Sequence, residues 1–242
     1  MIRSGAVVSR PMSAVTYSVP KLGRSPYENE DSAGMAPATG RFAVADGAST
    51  SARPEVWSRL LVTSFVEEGL DPLAPEVLVA LRRKWSALVD SPSLPWYAQA
   101  KLQRGADSTF LGLQVDSASR TFRAHGVGDS CLFHLRGAEV LLVGPVTSPD
   151  DFSRFPELVS SLAGAEAPPV TTLSGGYQAG DVFLLATDAI ARYLLVTYER
   201  HGRTAAWHRT PDGYAQFVRR VASYRRRGQL ANDDTTLCVV RT

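Results

Sequence analysis

Stretches of alternating and fully apolar residues are interleaved along this chain with stretches of helical period, and the switches between them set out the predicted elements. Residues 13 to 19 (S-A-V-T-Y-S-V) alternate small or polar with apolar side chains and predict a first strand. A polar loop carrying Glu28, Glu30 and Asp31 follows. Phe42, Ala43, Val44 and Ala45 then run without a polar interruption, which predicts a strand buried on both faces that surfaces at Asp46 and Gly47. A hairpin between the loop and this strand would bring Glu30 beside Asp46. From Pro54 to Glu68 the residues Val56, Trp57, Leu60, Leu61, Phe65 and Val66 recur at helical spacing, with Pro54 at the start and Gly69 just past the end. Pro75 to Val89 repeats the pattern and predicts a second amphipathic helix on the same side of the chain.

A Pro-broken connection after Asp90 leads into a short helical piece ending near Arg104. Asp107 to Val115, Thr121 to Val127, Cys131 to Arg136 and Glu139 to Val143 are short, apolar or alternating, and separated by turn residues. They predict an antiparallel meander. The stretch from Gly144 to Gly180, rich in Pro, Ser, Gly and Ala, predicts a surface flap or binding loop with one helix, Phe155 to Leu162. Asp181 to Asp188 (D-V-F-L-L-A-T-D) is a second apolar run delivering a carboxylate at its far end, followed by a helix from Ala189 to about Thr197. A last amphipathic helix spans Pro211 to Tyr224, and a last strand, Thr235 to Val240, is preceded by Asn232-Asp233-Asp234. No fixed-period repeat or low-complexity tract divides residues 1–242, which are read as one domain.

Composition narrows the function classes. A formal charge of +2 is too small to make nucleic acid or an anionic membrane the main partner. The Arg225-Arg226-Arg227 run follows a helix and reads as a solvated, dipole-favoured end. Cys131 and Cys238 each lie in an apolar stretch and read as small core residues. No run reaches signal-peptide or transmembrane length, so a cytoplasmic location is expected.

The acids at the strand tips, Asp46, Asp188 and Asp233, with Glu30 from the first loop, define the candidate chemistry. If these tips meet, their charges repel, and a cation must make them tolerable. Oxygen ligands without clustered His or Cys select Mg2+ or Mn2+ over zinc. His125, His134, His201 and His208 show no metal-binding spacing. Two such ions sharing a carboxylate would activate water and clamp a phosphoryl group.

The ordered motifs N-E-D at 29–31, F-A-V-A-D-G at 42–47, G-A-D-S-T-F-L at 105–111, G-V-G-D-S-C-L-F at 126–133, F-L-L-A-T-D at 183–188 and N-D-D-T-T-L at 232–237 resemble the metal-dependent serine/threonine phosphatases of type 2C in their bacterial form. The resemblance runs from about Ala14 to Arg241. It implies an α+β fold, a four-layer α-β-β-α sandwich of two antiparallel sheets flanked by helices, with a dinuclear Mn2+ or Mg2+ centre at one end. Asp46 would bridge two ions, Glu30 and the Gly47 carbonyl would complete one site, and Asp188 and Asp233 would hold the other ion. Asp31 would orient waters around the metals. Asp129 matches a residue that helps bind a weaker third ion, and reads equally as a turn residue in a hairpin. The implied reaction is hydrolysis of phosphoserine or phosphothreonine by a water shared between the ions. The implied partners are a phosphoprotein substrate and a cognate kinase pathway, with the enzyme a monomer.

The sequence departs from the family pattern at several places. Arg24 lies six residues before Glu30, where a phosphate-binding Arg usually lies four before. Ala48 stands where some members carry a His as general acid, and Arg192 stands where a further Asp often supports the third ion. Two other readings remain open: a regulatory or binding module that kept the fold without turnover, and a hydrolase of small phosphomonoesters.

Overall fold

The computed structural model describes residues 12–90, 96–152, 156–203 and 213–242. The first strand, β1 (Ser13–Val19), precedes the hairpin of β2 (Asp31–Ala36) and β3 (Arg41–Asp46). Helices α1 (Pro54–Val66), α2 (Pro75–Val89) and α3 (Trp96–Leu102) follow. The next block holds β4 (Asp107–Ser108), β5 (Phe110–Asp116), β6 (Thr121–Val127), β7 (Cys131–Arg136) and β8 (Glu139–Gly144). Then come β9 (Val159–Ser160), β10 (Thr171–Gly176), β11 (Val182–Ala186), α4 (Asp188–His201), α5 (Tyr214–Arg226) and β12 (Thr235–Arg241).

Two antiparallel sheets result, ordered β1-β12-β11-β7-β8 and β10-β6-β5-β3-β2, and they face each other with helices outside. Side-chain alternation explains why the strands read as unbroken apolar runs. In β3, Phe42 and Val44 enter the seam between the sheets, while Ala43 and Ala45 lie under α1 and α2. In β12, Cys238 and Val240 face the same inner seam, and Leu237 and Val239 pack under α4 and α5. Both faces of these strands are dry, so no polar position marks either one. Burying a side chain such as Phe42 contributes about 1.5–3 kcal/mol relative to leaving it exposed.

Three sequence expectations change. The meander is split: β5–β6 and β7–β8 are hairpins of different sheets, so Gly128 and Asp129 lie where the chain crosses between sheets and not in a hairpin turn. The helix expected at Phe155 to Leu162 is absent; Phe155 lies outside the described residues, and Val159–Ser160 is a strand paired with β4. The supposed irregular stretch also contains β10, an edge strand on β6. Its T-T-L-S-G-G sequence is almost wholly exposed and carries no apolar alternation. Helix α4 runs on to His201 and stops where Gly202 takes a left-handed conformation (φ 62°), its N–H donating to the Tyr198 carbonyl at 2.8 Å. The start of the last expected helix, residues 211–212, the connection 91–95, His208 and residues 1–11 lie outside the described residues. Among the described residues, no helix is long and apolar enough to cross a membrane.

Candidate metal centre

The two sheets bring their acids to one end. Ala186 of β11 lies opposite Leu237 of β12, so the exit of one strand and the entry of the other share an edge. Asp188 is the first residue of α4, and Asp233 sits in the turn ahead of β12. From the other sheet, Asp31 and Asp46 are direct partners across the β2–β3 hairpin. A hydrogen bond joins the halves: Thr187 Oγ1 donates to Asp31 Oδ2 at 2.9 Å, and itself accepts from the Thr236 N–H at 3.0 Å.

The electrostatics follow from this crowding. Burial pushes the Asp46 carboxyl well above the ordinary range, and the charges of Asp31, Asp188, Asp233 and Asp129 push it further. Asp188 is raised by burial, then by Asp129 and Asp233, with hydrogen bonds from the Ala189 N–H and the Asp46 carboxyl acting in the opposite direction. Asp31 is raised by burial, with Asp234 and Asp188 adding to it. Asp129, only 7% exposed at the sheet crossover, is pushed up to about 6 by burial. These influences place Asp31, Asp46, Asp129, Asp188 and Asp233 close to one another.

Glu30 is handled differently. Its Oε2 accepts from Ser49 Oγ and lies 3.1 Å from Lys21 Nζ. The same ammonium lies 2.9 Å from Asp233 Oδ1 and donates to Ser49 Oγ at 2.5 Å. Burial works against the charge on Lys21, but hydrogen bonds and attraction to Asp233 and Glu30 outweigh it and raise the pKa. Arg24 takes no part in this contact; its Nη1 pairs with Glu28 Oε1 at 2.8 Å on the exposed loop.

Neighbouring segments hold the donors in place. The Asp234 carboxylate accepts from the Lys21 N–H at 2.8 Å and the Glu30 N–H at 2.9 Å, gripping both ends of the loop between them. Asn232 Oδ1 accepts from the Leu22 N–H at 2.8 Å. Arg225, only 8% exposed, donates to the carbonyls of Pro20 (2.8 Å) and Asp233 and to Thr235 Oγ1 (2.9 Å). It is therefore a buried strut, unlike the solvated end expected from the Arg run. The Asp46 carbonyl accepts from the Thr109 N–H and Ser108 Oγ, while the Asp46 N–H donates to Thr109 Oγ1. A Cβ on Gly47 would lie 2.8 Å from the Glu30 carbonyl and 2.8 Å from Pro54 Cβ, so only glycine lets the loop approach the start of α1 this closely. Lys21, Thr187, Asp234 and Arg225 were not singled out as functional from sequence. The polar loop and the N-D-D turn were the available signals.

This donor set fits a hard divalent cation in part. The carboxylates of Asp46, Asp188 and Asp129 crowd one another, and buried Asp31 Oδ1 has no hydrogen-bond partner among the described residues. Both features suit a cation and its water shell. Among the described residues, however, no group of three or more His, Cys, Asp or Glu side chains is disposed as a finished metal site. In this arrangement Asp46 and Asp188 share a hydrogen bond, and Lys21 lies between Glu30 and Asp233.

No family model matches the chain, and no curated protein matches it. Solved structures do. The chain is similar to the catalytic domain of the serine/threonine phosphatase PstP in complex with two manganese ions (TM-score 0.59, 20% identity, 95% of this chain and 97% of that one). It is also similar to the S. agalactiae serine/threonine phosphatase (TM-score 0.62, 15% identity, 96% and 99%). A third match is the PPM Ser-Thr phosphatase MsPP from Mycobacterium smegmatis in complex with cacodylate (TM-score 0.55, 17% identity, 95% and 97%). Two facing antiparallel sheets flanked by helices, matched over nearly the whole chain, give this protein the fold of the PPM-type serine/threonine phosphatases.

Proposed function

We propose that the protein is a Mn2+- or Mg2+-dependent phosphomonoester hydrolase acting on phosphoserine or phosphothreonine in proteins. The observation that carries this reading is the convergence of Asp46, Asp188, Asp129 and Asp233 at one end of the two sheets, where the charges of Asp129 and Asp233 bear on both Asp46 and Asp188. Asp46, Asp188 and Asp233, with Glu30 and the Gly47 carbonyl, would hold the ions, and Asp129 would add a ligand at the sheet crossover. A bound divalent ion supplies water activation at neutral pH and charge to neutralise a phosphoryl group.

The chain's own residues have defined tasks. Asp31, oriented by Thr187, presents its free Oδ1 to order water beside the acids. Ser108 and Thr109 fix the backbone of Asp46, so its carboxylate is delivered from rigid strand ends. Asp234 fixes Glu30 through its N–H. Ala48 supplies no proton donor beside Gly47, so the departing seryl or threonyl oxygen would take its proton from solvent.

The neighbours named above are serine/threonine phosphatases, which supports a protein substrate. A second reading, a phosphatase-fold binding module without turnover, is favoured by one observation: Lys21 already neutralises Glu30 and Asp233. Hydrolysis of p-nitrophenyl phosphate and of a phosphothreonine peptide separates the readings. Turnover of the peptide with Mn2+ that is lost with EDTA and with Asp46→Asn is the expected result. Turnover of p-nitrophenyl phosphate alone would point to small phosphomonoesters, and equal rates under all three conditions would remove the catalytic reading.

A further inference from the structure

Lys21 is one of three lysines in a chain whose basic residues are otherwise arginine, and its head group lies inside the acid cluster. The Nζ is 3.1 Å from Glu30 Oε2 and 2.9 Å from Asp233 Oδ1, with Ser49 Oγ completing the cradle at 2.5 Å. The Lys21 and Glu30 side chains are only 23% and 20% exposed. An ammonium at these distances and a divalent ion cannot share the gap. An ion on either carboxylate needs its oxygen at roughly 2.0–2.6 Å, and its charge would meet a like charge at contact distance.

The rest of the residue is built for the head group to move while its root stays. Asp234 pins the Lys21 N–H to the same carboxylate that pins the Glu30 N–H. The four-carbon stem beyond that anchor is flexible and carries a compact point charge. Arginine, with a planar fork, could not withdraw from such a gap by simple rotation of a narrow chain. From these observations we infer that Lys21 is a built-in counter-cation, which satisfies Glu30 and Asp233 in the metal-free protein and must swing out before divalent ions can take these carboxylates. Metal loading is thereby coupled to a single side-chain displacement, and the apparent affinity is the intrinsic one scaled down to the fraction of molecules in which the lysine is withdrawn.

This inference rests on the metal-centre reading proposed above, and the test keeps the two apart. Mn2+ binding to the full chain is followed by loss of the free-ion EPR signal and by calorimetry, for wild type, Lys21→Met, Lys21→Arg and Asp46→Asn. Melting temperatures are taken in EDTA and in saturating Mn2+. Lys21→Met should bind Mn2+ about tenfold more tightly than wild type. In EDTA it should melt about 2–4 °C lower, with the loss recovered on adding Mn2+. Lys21→Arg, which keeps the charge, should stay at or below wild-type affinity. Lys21→Gln, which keeps a donor without the charge, replaces Lys21→Met should that variant fold poorly. Equal Mn2+ binding by wild type and Lys21→Met, with binding lost in Asp46→Asn, overturns the counter-cation and leaves the metal centre standing. Binding unaffected by Asp46→Asn, or absent from every variant, overturns the metal centre and the inference together.

Discussion

Asp31 and Asp46 stand directly opposite each other in neighbouring antiparallel strands. Like charges at that position destabilise a sheet, and here burial raises both carboxyls above their ordinary range. A pairing so unfavourable to the fold is what a cation-binding site demands of its scaffold.

Replacing Asp46 by Asn should therefore stabilise the metal-free protein while destroying the proposed activity. Removing one acid from this crowded cluster is expected to raise the melting temperature in EDTA by about 2–4 °C, the shift that goes with roughly 1 kcal/mol in a chain of this size. Added Mn2+ should raise the wild-type melting temperature and leave the variant nearly unmoved. A variant that melts lower than wild type in EDTA would contradict the repulsion argument.

Thr187 is the hydroxyl that joins the sheets through Asp31. Thr187→Val keeps the shape and removes the oxygen, leaving a buried carboxylate and the Thr236 N–H without that partner. Chemical denaturation should show a loss of about 1–3 kcal/mol. Thr187→Ser should recover most of it, which sets the hydrogen bond apart from packing.

Gly47→Ala tests the close approach at the site. The added methyl would meet the Glu30 carbonyl and Pro54 at 2.8 Å each. Overpacking of this kind costs about 1–3 kcal/mol. The expected signature is a lower melting temperature together with weaker Mn2+ binding, because the Glu30 loop is pushed off Asp46. Unchanged Mn2+ affinity would show that the loop adapts without moving its carboxylate.

At the other end of β11, Asp181 is locked by Arg136, which donates to both carboxylate oxygens at 2.8 and 2.9 Å, and by His134 Nε2 at 2.8 Å. Burial opposes its charge, but the Arg136 bonds, the Gln178 N–H and His134 hold the carboxyl down at about 2. A carboxyl depressed below its unfolded value stabilises the fold above about pH 4, and that stabilisation is lost as pH falls through about 2. Denaturant titrations from pH 5 to pH 2 should show a steeper loss of stability for wild type than for Asp181→Asn. Parallel curves would mean the carboxylate has no such role.

Much of this architecture was legible in the chain because the central strands are dry on both faces. Phe42 to Ala45 and Phe183 to Ala186 announce themselves as core, and their ends announce Asp46 and Asp188. The edge strands β2 and β10 were not legible for the converse reason. The D-S-A-G-M-A of β2 and T-T-L-S-G-G of β10 are small, polar or exposed, and only their neighbours make them strands. In β2, Gly34 leaves room for Val62 of α1, whose Cγ1 would lie 2.8 Å from an added Cβ. The resemblance drew attention to Arg24 as a phosphate-binding residue, although its spacing from Glu30 departs from the family pattern. Lys21 drew none, yet it reaches Glu30 and Asp233 because Asp234, more than two hundred residues away, anchors its backbone. A contact between distant segments leaves no local pattern to read.

The grip of Asp234 on the N–H groups of Lys21 and Glu30 closes a circuit between segments more than two hundred residues apart. During synthesis, Asp46 and its hairpin emerge long before β12, yet neither the anchor for Glu30 nor the carboxylate of Asp233 exists until residues 233 and 234 are made. A nascent chain that has not reached them would carry Glu30, Asp31, Asp46, Asp129 and Asp188 with the Lys21–Glu30 loop untethered, so the acid cluster is assembled only after its most distant segment arrives.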